Sequence, residues 1–247
     1  MLVCARSEIG RVRKDNEDNY LVSKERDLFV VADGMGGHAG GEVASSIVKR
    51  VLDEEITPLQ PAEDREEMLL NALHKANSLI LRLGQDQAYL GMGTTVTAAM
   101  FASGRLSIAH IGDSRAYLFR EGQLQLLTQD HSLVNELLQK GELTQEEAEN
   151  HPRRNILTRA LGTVENPQID QFNLSVQQDD LLLLCTDGLH NLVNMKEIRQ
   201  ILFEADELKT MVDSMVDLAL ERGGNDNITA VLVKYEEEEI AILEERA

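Results

Sequence analysis

With 247 residues, 43% of them apolar, the chain can build a sizeable core, and 24 basic against 43 acidic side chains leave a net charge of −19. Such a surface repels nucleic acid, and no apolar run is long enough to span a membrane. The N-terminus MLVCARSEIGRVRKDNED has neither the apolar stretch nor the cleavage site of a secretion signal, and Cys4 and Cys185 lie in apolar stretches as buried thiols rather than disulfide partners, so a cytoplasmic location is expected.

Strand patterns come first, at 2–6, 19–23 and 28–32. Helical periodicity follows at 42–56 and at about 62–83, where Leu69, Ala72, Leu73, Ala76, Ile80 and Leu83 share an apolar face. Three closely spaced strands at 94–102, 106–111 and 116–120, with glycine-containing turns, read as an antiparallel meander. Residues 129–165 are polar, with short helices near 132–138 and 144–149, and read as an excursion over the core. Strands return at 168–174 and 180–186, helices at 195–204 and 207–222, and a last strand at 228–235. The tail, 236–247, reads as a frayed helix with a solvated charge run. No repeat and no linker divides the chain, so one domain over 1–235 is expected. Strands grouped with strands and helices with helices favour a layered α+β fold.

The stretch VVADGMGGHAGGEVA ends an apolar strand on Asp33 and then spends five of eight residues on glycine. Gly34, Gly36 and Ala39 fit a dinucleotide-binding fingerprint. The context does not. That fold needs a second strand directly after the helix, ending in an acidic residue that holds the ribose. Here Thr57-Pro58 and another helix follow, and Asp33 would face a pyrophosphate, anion against anion.

The acidic excess serves solubility alone, or some carboxylates converge and need cations. Asp33, Asp113 and Asp187 each end an apolar strand, Asp226 directly precedes the last strand, and Asp18 opens one. Singly, each is ordinary turn chemistry. Together at one end of a sheet they would repel by about 4 kcal/mol per pair at ~4 Å and bind protons or metal. Oxygen-only ligands suit Mg²⁺ or Mn²⁺. An EF-hand is excluded because DNEDNY lacks the glycine and terminal Glu, no HExxH zinc motif occurs, and GDSRA lacks the second glycine of a nucleophile elbow. Arg13, five residues before Asp18, is either a phosphate-holding cation or a surface partner of Glu17.

The motifs now form an ordered set: Gly10, Arg13 and Asn16-Glu17-Asp18; Asp33 through Gly41; Gly91-Met92-Gly93-Thr94-Thr95; Gly112-Asp113-Ser114-Arg115; Asp130-His131-Ser132-Leu133; Leu161-Gly162; Cys185-Thr186-Asp187-Gly188-Leu189; and Asp226-Asn227-Ile228-Thr229. On these, the chain resembles the metal-dependent Ser/Thr protein phosphatases of type 2C (the PPM family) in their compact bacterial form. The resemblance implies a four-layer α-β-β-α sandwich, two mainly antiparallel sheets flanked by helix pairs. It implies two Mn²⁺ or Mg²⁺ ions per chain, bridged by Asp33. The Gly34 carbonyl, Asp187 and Asp226 would complete the ligands, Glu17 and Asp18 would act mainly through metal-bound waters, and Asp113 would mark a third, weaker site. Arg13 matches the residue that holds the substrate phosphate, and His38 the one that protonates the leaving alkoxide. Residues 132–160 match a mobile flap that influences substrate choice. The glycines after Asp33 would let the backbone turn tightly and present a carbonyl to one ion.

The implied activity is hydrolysis of phosphoserine and phosphothreonine in proteins, by in-line attack of a water or hydroxide activated by the binuclear centre. Implied partners are phosphorylated proteins and a partner Ser/Thr kinase; a monomer without nucleic-acid or membrane partners is expected. The alternative is a catalytically silent sensor or kinase scaffold of the same fold, against which the intact Asp33, Asp187 and Asp226 speak. A metal-dependent nuclease is disfavoured by the charge. His74 beside an apolar face and His110 in a strand read as structural, His131 and His151 as local hydrogen-bonding groups, and Cys185 as packing.

Overall fold

The computed structural model describes residues 1–36, 40–57, 65–149 and 151–236. In chain order its first half holds β1 (Leu2–Glu8), β2 (Asp18–Ser23), β3 (Leu28–Met35), α1 (Gly40–Glu55), α2 (Arg65–Leu83), β4 (Gly93–Thr94), β5 (Val96–Ala102), β6 (Arg105–Ile111), β7 (Arg115–Arg120) and β8 (Gln123–Leu126). The second half holds α3 (Leu133–Gln139), α4 (Gln145–Glu149), β9 (Asp170–Ser175), β10 (Leu181–Cys185), α5 (Asp187–His190), α6 (Met195–Glu204), α7 (Leu208–Glu221) and β11 (Ile228–Lys234).

One sheet runs β1-β11-β10-β7-β8 and the other β2-β3-β5-β6-β9, with β4 paired to β3; the pairings are antiparallel. Alternation along the strands builds the layers. In β3, Phe29 and Val31 face the opposite sheet, while Leu28, Val30 and Ala32 face α1 and α2. In β10, Leu182 and Leu184 enter the space between the sheets, while Leu181, Leu183 and Cys185 pack with residues of α6 and α7. Strands buried on both faces need apolar residues at every position, which is why FVVA and LLLLC read as unbroken runs. The α-β-β-α sandwich expected from the motifs is the observed fold.

Three local readings change. The expected meander holds for β5 and β6, but β7 crosses to the other sheet and pairs with β10. The connection turns at Gly112, whose φ of +111° suits a residue without a side chain. The strand expected over 94–102 is broken at Thr95, because Thr94 pairs with Gly34 and bridges to Leu161 while the chain beyond joins β3 at Val31. β8 was not expected at all; it is a short edge strand.

Leu69, Ala72, Leu73, Ala76 and Ile80 are buried as expected, but Leu83 at the helix end is 38% exposed. Cys185 is buried, Cys4 only half-buried, and both are free. His74 is exposed rather than packed. His110 is fully buried, with Thr97 Oγ1 at 2.9 Å from Nδ1 and the Gln129 carbonyl at 3.1 Å from Nε2. His38 and residues 237–247 of the tail lie outside the described residues, so neither the reach of His38 nor the expected tail helix is tested. Among the described residues no helix is long and apolar enough to cross a membrane.

Candidate active site

The site forms at one end of the sandwich, where the two sheets meet. Asp18, the first residue of β2, stands opposite Asp33 of β3 in the antiparallel register. Asp18 is buried, and its Oδ2 accepts hydrogen bonds from Thr186 Oγ1 at 2.8 Å and Thr229 Oγ1 at 2.6 Å. Those hydroxyls come from the ends of β10 and β11, so this carboxylate ties one sheet to the other. Valine at 229 would keep the shape and remove the donor. A Thr229→Val protein is therefore expected to lose about 2 kcal/mol of stability, the scale of a hydrogen bond to a charged group, read as a lower urea midpoint at unchanged slope.

Asp33 is held by its backbone. Its N–H donates to Thr95 Oγ1 at 3.0 Å, and its carbonyl accepts from the Thr95 N–H at 2.9 Å and from Thr94 Oγ1 at 2.9 Å. The side chain is left free for the cavity. Asp187 opens α5 just beyond β10 and lines the same cavity as Asp33, and its Oδ2 accepts from Asn191 at 3.1 Å. The glycines around Asp33 have a reason beyond turning. Any Cβ on Gly34 would collide with the Gly41 carbonyl, and one on Gly41 would meet the Glu17 carboxylate. The two backbones pack face to face, with Gly34 N–H and Ser45 Oγ both donating to the Glu17 carbonyl.

Asn227 fastens the loop that carries Arg13. Its Nδ2 donates to the carbonyls of Ile9 at 2.9 Å and Asp15 at 3.0 Å, and its Oδ1 accepts from the Glu17 N–H at 2.9 Å. Arg13 Nη2 then donates to Asp226 Oδ2 at 2.8 Å, while Nη1 lies 4.0 Å from Glu17 Oε2. The guanidinium is 48% exposed at the cavity mouth, so the surface pairing with Glu17 is present but looser than the pair with Asp226.

Asp113 sits in the crossover between β6 and β7. Thr95 Oγ1 meets Ser114 Oγ at 2.8 Å, His190 Nε2 lies 3.0 Å from the Asp113 carbonyl, and Arg115 grips Asp130 through two bonds of 2.9 and 2.7 Å. The Gly112 N–H donates to His131 Nδ1 at 3.1 Å, which leaves the proton on Nε2 to donate to Asp170 Oδ2 at 3.0 Å. Arg159 Nη1 reaches Asp170 Oδ1 at 3.1 Å, and the Thr158 N–H donates to the His131 carbonyl at 2.8 Å. His131 thus links the segment expected as a flap to the Asp113 turn. His151 Nδ1 accepts from the Arg153 N–H, the local role expected of it.

Arg13, Glu17, Asp33, Gly34, Asp113, Asp187 and Asp226 line one cavity of about 540 Å³, together with Asn155, Leu157, Thr158, Arg159 and Ala160. Asp18 lies just beneath. Burial, then the neighbouring carboxylates, push Asp33 and Asp113 well above the usual carboxylate range. Burial and the same neighbours lift Asp18 to about 7 and Asp187 to about 6. Asp33 keeps part of its surface open to the cavity, yet it is crowded on every side. Cys185 cannot serve as a nucleophile, because burial pushes its thiol to about 12.

A hard divalent cation fits this donor set. The ligating atoms are oxygens, the negative charge exceeds what Arg13 balances, and two buried oxygens, Asp18 Oδ1 and Asp187 Oδ1, have no hydrogen-bond partner among the described residues. Among those residues no three carboxylates are drawn onto a single point; they line a shared, open space. Sequence reasoning named Thr186, Asn227 and Thr229 within its motifs without giving them a role, and did not mark His190. Each adjoins or lies within three residues of Asp187 or Asp226, and that spacing was the available signal.

The family model described as Protein phosphatase 2C matches residues 9–233, from the end of β1 through most of β11. The chain belongs to the protein phosphatase 2C family. Among curated relatives of this 2C-type chain is the serine/threonine phosphatase stp of Listeria welshimeri, 44% identical over 236 residues, covering 93% of this chain and 94% of that one. The crystal structure of the Mycobacterium tuberculosis serine/threonine phosphatase PstP/Ppp superposes with a TM-score of 0.89 at 38% identity, covering 96% of this chain and 99% of that one. A structure of the PstP catalytic domain, in complex with two manganese ions, matches at 37% identity with a TM-score of 0.87, covering 96% and 98% of the two chains.

Proposed function

We propose that this 2C-type chain removes phosphate from phosphoserine and phosphothreonine in proteins at the Asp33 cavity, with Mn²⁺ or Mg²⁺ as cofactor. The observation that carries the reading is the convergence of Asp33, Asp113, Asp187 and Asp226 on one cavity that Arg13 also lines, with its guanidinium held by Asp226. Asp33, the Gly34 carbonyl, Asp187 and Asp226 would hold two ions, Asp18 and Glu17 would act from behind through water, and Asp113 would serve a third, weaker site. When bound, such ions activate water near neutral pH and neutralise phosphoryl charge.

The chain's own groups do the rest. Asp226 holds the guanidinium of Arg13 so that its remaining N–H donors can take phosphate oxygens as a fork. Thr186 and Thr229 keep Asp18 fixed, so the carboxylate array is set before substrate arrives. His38 is assigned the proton that the leaving alkoxide takes up. Residues 1–235 act as one catalytic domain with 132–160 as its flap, and 236–247 as a tail. A cytoplasmic monomer that opposes a partner Ser/Thr kinase is the simplest setting.

The test is phosphate release from a phosphothreonine peptide with Mn²⁺, with Mg²⁺ and with chelator. Turnover in metal that chelator abolishes supports the reading. Arg13→Ala should raise KM by about 10- to 100-fold, the worth of charge-assisted hydrogen bonds, with a smaller effect on kcat. Arg13→Lys should recover only part, because an ammonium cannot form the fork. No turnover by folded protein in either metal would replace this reading with the silent sensor or scaffold.

A further inference from the structure

A second cavity, of about 920 Å³, adjoins the first and shares Asp113 and Asn155 with it. It lies between the flap segment (Val134, Leu138, Arg154) and the turn into α6 (Leu192, Asn194, Lys196). Asp113 stands at the junction with the first cavity, where it is assigned to the metal site, and the remaining charges can be accounted for one by one. Arg115 and Asp130 neutralise each other through their two-bond pair. His190 is engaged at the junction, its Nε2 3.0 Å from the Asp113 carbonyl. Glu197, next to Lys196, is taken by Arg222 through bonds of 2.7 and 2.6 Å. That leaves Arg154 and Lys196, both exposed, with no carboxylate partner among the described residues. On a chain of net charge −19, two unpaired cations facing one groove are a local exception.

We infer that this groove takes the segment of the substrate flanking the phosphorylated residue, and that Arg154 and Lys196 select acidic side chains there. The inference rests on the proposed phosphatase activity. With the phosphate at Arg13, a peptide leaving the first cavity past Asp113 and Asn155 enters the second, under the flap and across the start of α6. Acidic side chains in that segment meet Arg154 and Lys196. Basic ones meet Arg154 and Lys196 as like charges, beyond the reach of Asp113 only once past the junction of the two cavities.

The experiment compares phosphothreonine peptides of equal length with acidic, neutral or basic residues on the N-terminal or the C-terminal side. The readout is the ratio of kcat/KM between peptides within each protein, beside hydrolysis of a small aryl phosphate by the unaltered chain. Acidic flanks on one side should be favoured by about three- to fivefold per charge, the scale of an exposed ion pair. The preference should fade in 0.5 M salt and invert in the Arg154→Glu/Lys196→Glu protein, whose folding is checked by its thermal transition. Equal ratios for all flanks, or a preference the double variant leaves intact, would overturn the inference while aryl phosphate turnover upholds the activity. Absence of turnover on aryl phosphate and peptides alike would overturn the proposed function, and this inference with it.

Discussion

Asp33→Asn should lower phosphate release by about 10³-fold, the scale on which single charge-stabilising groups act, while making the protein harder to unfold in chelator. Asparagine has the size of aspartate, and the bonds that hold position 33 run through its backbone to Thr94 and Thr95, so the strand and its register survive. What is lost is one negative charge and one carboxylate oxygen. An amide offers a single acceptor oxygen and cannot bridge two cations. The same change removes a buried charge crowded by Asp18, Asp187, Asp113 and Asp226. Each such neighbour costs on the order of 4 kcal/mol at ~4 Å, so the metal-free variant should exceed the parent in urea midpoint. Normal turnover would remove Asp33 from the centre. A lower midpoint in chelator would contradict the account of its burial.

The second expected result concerns pH. In chelator, the thermal midpoint should fall by about 10 °C between pH 5 and pH 8, and added Mn²⁺ or Mg²⁺ should restore it at the higher pH. Asp18, Asp187, Asp33 and Asp113 all have folded-state pKa values raised above their unfolded ones. The folded chain therefore holds protons that the unfolded chain gives up. Stability is full below the unfolded value near 4 and is lost as pH rises through the folded values, about 6 for Asp187 and about 7 for Asp18, with Asp33 and Asp113 raised in the same direction. The four titrate as a set rather than one by one. A penalty of a few kcal/mol corresponds to about 10 °C for a chain of this size. Cations bound only by the folded chain return about 2.7 kcal/mol at 100 times their dissociation constant. Surface repulsion also grows with pH, but 0.5 M salt screens it and barely touches buried groups. A flat midpoint in high salt would show that the carboxylates do not repel one another.

Much of this was legible because the physics is local. The runs FVVA and LLLLC announce strands buried on both faces, and the two-faced burial of Phe29 and Val30 is the layer structure seen from one strand. An aspartate at either end of an apolar run lies at a sheet end whatever the topology, so Asp33, Asp187 and Asp226 could be marked in advance. What could not be read was pairing. The spacing of β6 and β7 suits a hairpin, and only the turn at Gly112 and the partners waiting in β10 send β7 to the other sheet. β8, with the sequence QLQL, has two apolar side chains to declare it. Thr186 and Thr229 look like ordinary strand residues until Asp18, more than 160 positions away, places its carboxylate between them.

The pairing of β1 with β11 has a consequence for the order in which the molecule comes into being. β1 is the edge strand of its sheet, and its single neighbour there is β11, in a register that sets Leu2 against Lys234. During synthesis β1 leaves the ribosome and waits without its strand partner until more than 200 further residues, through β11, have followed. Contacts so distant in sequence form slowly. The same final strand delivers Thr229 to Asp18, and the residues just before it deliver Asp226 to Arg13 and Asn227 to the loop that carries it. A nascent chain that stops before residue 226 carries most of the carboxylates and lacks the means to gather them. The site thus comes into existence only once β11 has been made and inserts between β1 and β10.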